Sequence, residues 1–159
     1  MLSVEGPDDG WEVEALFDLS FGPGRELLSS YRLRSGVAPV AALCLVSRAE
    51  GGAVDGAIRH WPVRIGGRAA LLLGPVAIHP TRQGEGLGAL LIQESLSRAT
   101  DLGHERVLLV GDAPYYGRFG FVRRGGVEMP PPTNPERVLG AELVPGAWVG
   151  ISGQVERAV

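Results

Sequence analysis

The residues with the clearest chemical potential lie in one run, "HPTRQGEGLGALLIQ", from His79 to Gln93. Gly84, Gly86 and Gly88 alternate within it, Arg82 and Gln83 precede them, and a helical apolar pattern follows. The first amides of a helix have no intrahelical acceptor, and the peptide dipoles leave partial positive charge at that end. Glycines let the backbone turn tightly and let a bulky anion approach it. Such a turn suits a phosphate or pyrophosphate, and Arg82 adds the possibility of a charge-assisted contact. A P-loop would need Gly-Lys-Ser/Thr, where this chain has Gly88-Ala89-Leu90. Gly84, Gly86 and Ala89 satisfy a dinucleotide fingerprint, with Asp112 ending the next strand. The turn starts late, however, after "HPTR", and no further strand–helix units follow. A turn that only packs a helix accounts for Gly88 but not for the alternation behind Arg82 and Gln83.

Other reactive side chains are scattered. Cys44, the single cysteine, sits in the apolar run "PVAALCLV" and is expected to be a buried core thiol. His60, His79, Asp112 and Glu26 are the candidates for a base. His79 is expected to end a strand beside the loop, and Asp112 to cap the turn "APYY". No His/Cys cluster has metal-ligand spacing, so no metal is expected, and no Ser-His-Asp arrangement follows from chain order.

These groups need a scaffold. Residues 8–22 predict a helix with Asp8 or Asp9 at its start and Gly22-Pro23 as its stop, and residues 24–34 predict a second. Residues 39–48, 53–65 and 68–78 predict three strands joined by short glycine turns, hence adjacent antiparallel pairing. The third is almost continuously apolar, as a strand covered on both faces would be. Residues 86–103 form the strongest helical pattern, with Gly88, Leu91, Ile92, Ser95, Leu96, Ala99 and Leu102 on one face. A buried strand follows at 105–112, then one helical turn at "APYYGRFG", a strand opening with "FVRRG", a long loop at 129–146 and a closing strand at 147–156. The expected architecture is one α/β domain over residues 1–159 with a mixed sheet. The closing strand is a candidate edge for pairing in a homodimer.

Composition narrows the partners. A net charge of −3 argues against a nucleic-acid surface. No apolar run approaches the ~20 residues of a membrane span. The N-terminus lacks a secretory pattern, so a cytoplasmic protein is expected.

The run "VAIHPTRQGEGLGALLI" closely resembles the acyl-CoA-binding motif of the GNAT superfamily of N-acetyltransferases. There, an interrupted apolar strand leads to His-Pro, then Gln/Arg-x-x-Gly-x-Gly/Ala, then a long helix. "GDAPYYGRFGF" resembles the second signature of a branch of small predicted N-acetyltransferases. The resemblance implies an α/β GNAT-like fold, its mixed sheet splayed in a V between two parallel strands and flanked by helices. It implies acetyl-CoA as cosubstrate, with the pyrophosphate on the backbone of Gln83, Gly84, Glu85, Gly86, Leu87 and Gly88. The pantetheine arm would lie along Val76, Ala77 and Ile78, where Gly74 and Pro75 interrupt strand pairing.

The implied reaction is attack of a primary amine on the thioester. Backbone N–H of Val76 or Ile78 would face the developing oxyanion. A tyrosine hydroxyl, ordinary pKa ~10 against ~8.5 for a thiol, can protonate the departing sulfur. The family position falls on Tyr116, with Tyr115 facing elsewhere. The acceptor, a small molecule or peptide amine, would lie under the N-terminal helices near Arg25, Glu26, Tyr31, Arg32, Arg34 and Trp61. A coenzyme A-binding regulator or sensor without useful catalysis is the alternative, and monomer and homodimer are both open.

Overall fold

The computed structural model of the protein describes residues 2–22, 24–25 and 28–158. Its strands are β1 (Leu2–Val4), β2 (Leu45–Arg48), β3 (Val54–Ile65), β4 (Arg68–Ile78), β5 (Arg106–Val110), β6 (Val122–Arg123), β7 (Val127–Glu128), β8 (Val138–Glu142) and β9 (Gly153–Arg157). The α-helices are α1 (Gly10–Phe21), α2 (Ser29–Arg32), α3 (Leu87–Asp101) and α4 (Ala113–Tyr116). The sheet runs β1-β2-β3-β4-β5-β8-β6, with β9 on the far end of β3 and β7 on β9. β2, β3 and β4 pair antiparallel, as their short glycine turns predict.

The feature that shapes the molecule is where β4 and β5 part. They pair in parallel only at Leu71 with Val107 and Leu72 with Leu108. β4 then continues to Ile78 with no partner on that side. Its register with β3 slips at the same place. Ile58 faces Val76 and His60 faces Leu73, so Gly74 and Pro75 together oppose Arg59. This is a β-bulge at a Gly-Pro pair, where one residue has no side chain to pack and the other no N–H to donate. The result is a V-shaped gap between two parallel strands.

Alternation along the strands divides the core. Leu71 and Leu73 pack with Leu91, Ile92 and Ala99 of α3, while Leu72 packs on the opposite face with Leu33, Val63 and Trp148. Val13, Leu16 and Phe17 of α1 cover Ala57 and Ala77 on that second face. Asp9 stands at the N-cap of α1, but its carboxylate is taken by the Gly6 N–H and by Arg48.

The structure corrects several expectations. The helix expected over 24–34 is confined to Ser29–Arg32, and Pro23 and Glu26 lie outside the described residues. The strand expected from residue 39 begins at Leu45, because Ala41–Leu43 form a 3-10 turn after Val40 N–H bonds the His60 carbonyl. Leu2–Val4 form a further strand ahead of the first expected helix. Leu102 is exposed, since α3 ends one residue before it.

The largest corrections are near the C-terminus. The supposed loop 129–146 contains β8, a central strand paired to both β5 and β6. It was hidden because Val138, Leu139, Gly140 and Ala141 are all buried and show no alternation after the proline-rich segment. The closing strand starts only at Gly153, because Trp148 turns into the core and donates its indole N–H to the Ala141 carbonyl at 2.9 Å. β9 pairs with β7 through Gly153 and Gln154 and with β3 through Val155–Arg157.

Trp148 packs so closely on β8 that a Cβ at Gly140 would lie 2.4 Å from its ring. Trp148→Ala is expected to lower unfolding free energy by about 3 kcal/mol or more, read by chemical denaturation.

Candidate functional site

Two cavities lie along the free edge of β4. The first, about 190 Å³, runs between the bulge (Leu73, Gly74, Pro75, Val76), the end of β5 (Leu109, Val110) and Tyr116, and reaches Tyr31 and Arg34. The second, about 410 Å³, lies over the glycine-rich loop. It is lined by Ile78, Arg82, Gln83, Gly84, Gly86, Leu87, Gly88, Tyr115 and Arg118.

The loop places its amides as the sequence suggests. Gly84 and Gly86 have φ of +85° and +80°, a backbone that side-chain-bearing residues rarely adopt, and Gly86 is the N-cap of α3. The N–H groups of residues 84–89 have no acceptor among the described residues, while the Gln83 N–H points back to the Pro80 carbonyl at 3.5 Å. Arg82 is tied down. Its Nη1 donates to Asp55 at 2.8 Å and its Nε to Glu85 at 3.1 Å, which pins the loop to β3. Gln83 donates its side-chain N–H to the Ile78 carbonyl at 3.3 Å rather than pointing to solvent. Asp55 and Arg118 went unnoticed in the sequence. Arg118 stacks 5.1 Å from the centre of the Tyr115 ring and supplies a cation at the cavity wall. It was visible as the cation of "YYGRFGF", but its direction depends on how α4 lies beside α3.

The exposed edge of β4 can be assigned from its ladder. The His79 N–H donates to the Asp55 carbonyl at 2.8 Å, toward β3. In an antiparallel pair successive residues turn their N–H groups to opposite sides. Ala77 therefore also faces β3, and the N–H groups of Val76 and Ile78 face the gap.

The two tyrosines divide as expected. Their rings meet edge-on, centroids 5.0 Å apart. Tyr115 turns to the loop, its hydroxyl 3.5 Å from where a Cβ of Gly88 would sit, while Tyr116 lines the cavity at the bulge. Gly111 makes room for it: a Cβ there would lie 2.6 Å from the Tyr116 ring. Burial, with a smaller contribution from Tyr115, pushes the Tyr116 hydroxyl up to about 12. It therefore stays protonated at neutral pH. Asp112 accepts the Tyr115 N–H at 3.1 Å and caps the turn, His79 Nδ1 accepts the Thr81 N–H, and Cys44 is buried.

Of the expected acceptor-side residues, Arg25, Tyr31, Arg34 and Trp61 line a further small cavity together with Glu14, Arg59 and Pro75. Arg32 does not, and Glu26 lies outside the described residues. His60 faces the α3 side of the sheet, fully buried, with neither ring nitrogen paired among the described residues. Burial, and to a lesser degree His104, pulls its pKa down to about 3. It lines neither cavity at the gap and drops out as a base. Among the described residues no group of His, Cys, Asp and Glu is arranged to hold a metal. No helix is long and apolar enough to cross a membrane.

A sheet splayed between parallel strands, with a glycine-rich helix start at the mouth of the gap, defines the acyl-CoA N-acyltransferase type of fold. The chain belongs to the acetyltransferase (GNAT) family, whose sequence model matches residues 12–121. It is 31% identical over 123 residues to the uncharacterized N-acetyltransferase YhbS of Escherichia coli K12, covering 76% of this chain and 72% of that protein. The crystal structure of a GNAT family N-acetyltransferase, YhbS from Escherichia coli, in complex with CoA superposes with a TM-score of 0.85 at 28% identity. It covers 99% of this chain and 88% of that one. A GNAT family acetyltransferase from Brucella melitensis in complex with acetyl-CoA gives 0.72 at 30% identity, over 100% and 96% of the two chains.

A histidine held neutral when folded binds fewer protons than its unfolded counterpart below its ordinary pKa of 6.5. Its contribution to stability is complete above that pH and is lost as pH falls from there toward 3. His60→Leu is expected to flatten the pH dependence in this window by about 1 kcal/mol per pH unit, measured by denaturant titrations at pH 7, 6 and 5.

Proposed function

We propose that the protein transfers the acetyl group of acetyl-CoA to a primary amine of a small molecule or peptide by direct attack on the thioester. The observation that carries this is the bulge at Gly74-Pro75, which leaves the Val76 and Ile78 N–H groups facing a gap that opens onto the glycine-rich loop. Two similar proteins, the Escherichia coli and Brucella melitensis acetyltransferases, hold CoA and acetyl-CoA in their crystals.

The residues present fit the cosubstrate. The unpaired N–H groups of residues 84–89 at the start of α3, with Arg118 beside them, suit the pyrophosphate. Gln83 serves chiefly to hold the loop to β4 through Ile78, and Arg82 does the same to β3 through Asp55. The free side of Val76, Ala77 and Ile78 suits an extended amide-bearing arm, which can pair with it like an added strand. Bound acetyl-CoA would supply the activated acetyl group.

The chain would supply the rest. The N–H of Val76 or Ile78 would stabilise charge developing on the carbonyl oxygen. Tyr116 would hold a proton on its phenolic oxygen for the departing sulfur. Its upward-shifted pKa leaves the proton on the oxygen at neutral pH but makes it a weaker acid than an ordinary tyrosine, so its contribution is a hydrogen bond to the developing thiolate, with proton transfer following as that charge builds. His60 is buried away and Asp112 and His79 are engaged in capping, so of the four candidate bases Glu26, outside the described residues, is left beside a neutral amine or water as the route for the proton. The acceptor would enter from the side of α1 and α2, opposite the loop.

Calorimetric titration with acetyl-CoA, with NADH as control, tests the cosubstrate; binding of NADH alone, or of neither, would overturn the reading. Gly86→Val places a β-branched residue at a left-handed backbone and is expected to weaken acetyl-CoA binding at least about tenfold. Tyr116→Phe is expected to lower kcat about 100-fold with acetyl-CoA affinity nearly unchanged, measured by thiol release and calorimetry. Unaltered turnover would assign the proton to water.

A further inference from the structure

On the acceptor side three arginines crowd one pocket, and they are not equivalent. Arg25 is paired with Glu14 and with Asp18 at 2.8 Å, and also donates to the Tyr31 hydroxyl at 2.7 Å. Arg59 is paired with Glu14 and, through two nitrogens, with Glu5 at 2.9 and 3.1 Å. Arg34 has no carboxylate partner among the described residues. It is only 8% exposed, yet its Nε and Nη1 have no hydrogen-bond partner there, and its Nη2 has only a long contact to Ser30 at 3.4 Å. Its guanidinium carbon sits over Tyr31, 4.0 Å from the ring centre, and 5.5 Å from that of Trp61.

Burial pulls Arg34 down to about 10 against an opposing pull from the Tyr31 hydroxyl, with Arg25 and Arg59 adding a smaller lowering, and it remains a cation at neutral pH. A buried, charged and unpaired guanidinium is costly to maintain. The ring contact orients it but satisfies none of its in-plane donors. What satisfies them is a planar anion that accepts two parallel N–H bonds.

The position of Arg34 says whose anion this is. It lines both the small cavity with Tyr31 and Trp61 and the cavity at the bulge with Tyr116. Its Nη2 is 3.6 Å from the point where a Cβ of Gly74 would project, so the guanidinium abuts the strand interruption itself.

We propose that Arg34 binds a carboxylate of the acceptor, so that the preferred acceptors are amines with a carboxylate a few bonds from the reacting nitrogen, free α-amino acids above all. This rests on the acetyltransferase reading above. Because Arg34 adjoins the bulge, an anion held by it and an amine directed at the gap must belong to a short molecule. A polyamine or aminoglycoside-like polycation brings no anion to Arg34 and meets its charge, the one arginine of the three without a carboxylate partner among the described residues. A peptide N-terminus has its α-carboxyl tied up in an amide and lacks that anion.

The test compares L-phenylalanine, L-phenylalaninamide and phenethylamine, and the matching leucine set, by thiol release with saturating acetyl-CoA. The expected result is a kcat/KM about 10- to 100-fold higher for the free amino acids. Arg34→Gln should abolish that preference and leave acetyl-CoA affinity unchanged, Arg34→Lys should restore part of it, and Arg34→Met should melt no lower than the parent. Acetylation of all three compounds alike, or a preference that survives Arg34→Gln, would overturn this inference and leave the acetyltransferase reading intact. Failure to bind acetyl-CoA would overturn that reading instead. Should none of these amines turn over, the CoA-loaded protein is titrated with N-acetyl-L-phenylalanine and N-acetyl-L-leucine. Binding lost in Arg34→Gln supports the carboxylate site, and absence of binding overturns it.

Discussion

The structure depends on one interruption of strand pairing. If β4 ran regularly beside β5, its backbone groups would be consumed by the ladder and the sheet would be closed. The extra residue at Gly74-Pro75 shifts the register against β3 and carries β4 away from β5 after Leu72. Three things follow. The N–H groups of Val76 and Ile78 are left facing a gap, a cavity passes between the strands to Tyr116, and the Gly74 carbonyl is free to accept the Trp61 indole N–H at 2.9 Å. That last bond fixes the wall against which Arg34 packs, so one irregularity organises both sides of the sheet.

The two sides carry different electrostatics. On the α3 side positive character is mostly backbone: unpaired amides and a helix dipole, with Arg82 spent on Asp55 and Glu85. That arrangement suits an anion gripped loosely from many directions. On the α1–α2 side it comes from side chains, three arginines partly neutralised by Glu5, Glu14 and Asp18. Glu14 shows how strong that field is. Burial would raise its pKa, but hydrogen bonds from Arg25 and Arg59 outweigh burial and hold it below the usual carboxylate range. Between the two sides lies Tyr116, kept uncharged by its own burial. The proposed reaction would draw on this division, with anion recognition at both ends and a neutral proton donor in the middle.

The family was legible because its marks are local. Alternating glycines before an amphipathic helix, and a Gly-Pro pair inside an apolar strand, impose their geometry on any backbone that contains them. For the same reason β3, β4, α3 and β5 fall close to where periodicity put them, and Asp112 caps its turn as an aspartate before a helical turn should. The C-terminal part was not legible. A strand buried on both faces shows no alternation, so β8 looked like an extension of the proline loop. Trp148 followed an alternating pattern that its burial overrode. The N-terminal region misled similarly: residues 39–44 have strand composition, but Val40 is captured by the His60 carbonyl and the chain turns instead.

The sequence by itself therefore determined the elements beside the gap and the loop with its free amides. Those features follow from short-range backbone chemistry. Only the tertiary structure decided which charges are spent and which are not. Arg82 looked available and is engaged by Asp55, 27 residues away in the chain. Arg34 stood undistinguished beside Arg25 and Arg32 on the expected acceptor side, and is buried against Tyr31 without an acidic partner among the described residues. Ion pairing is a matter of distance in space, and chain order carries no record of it.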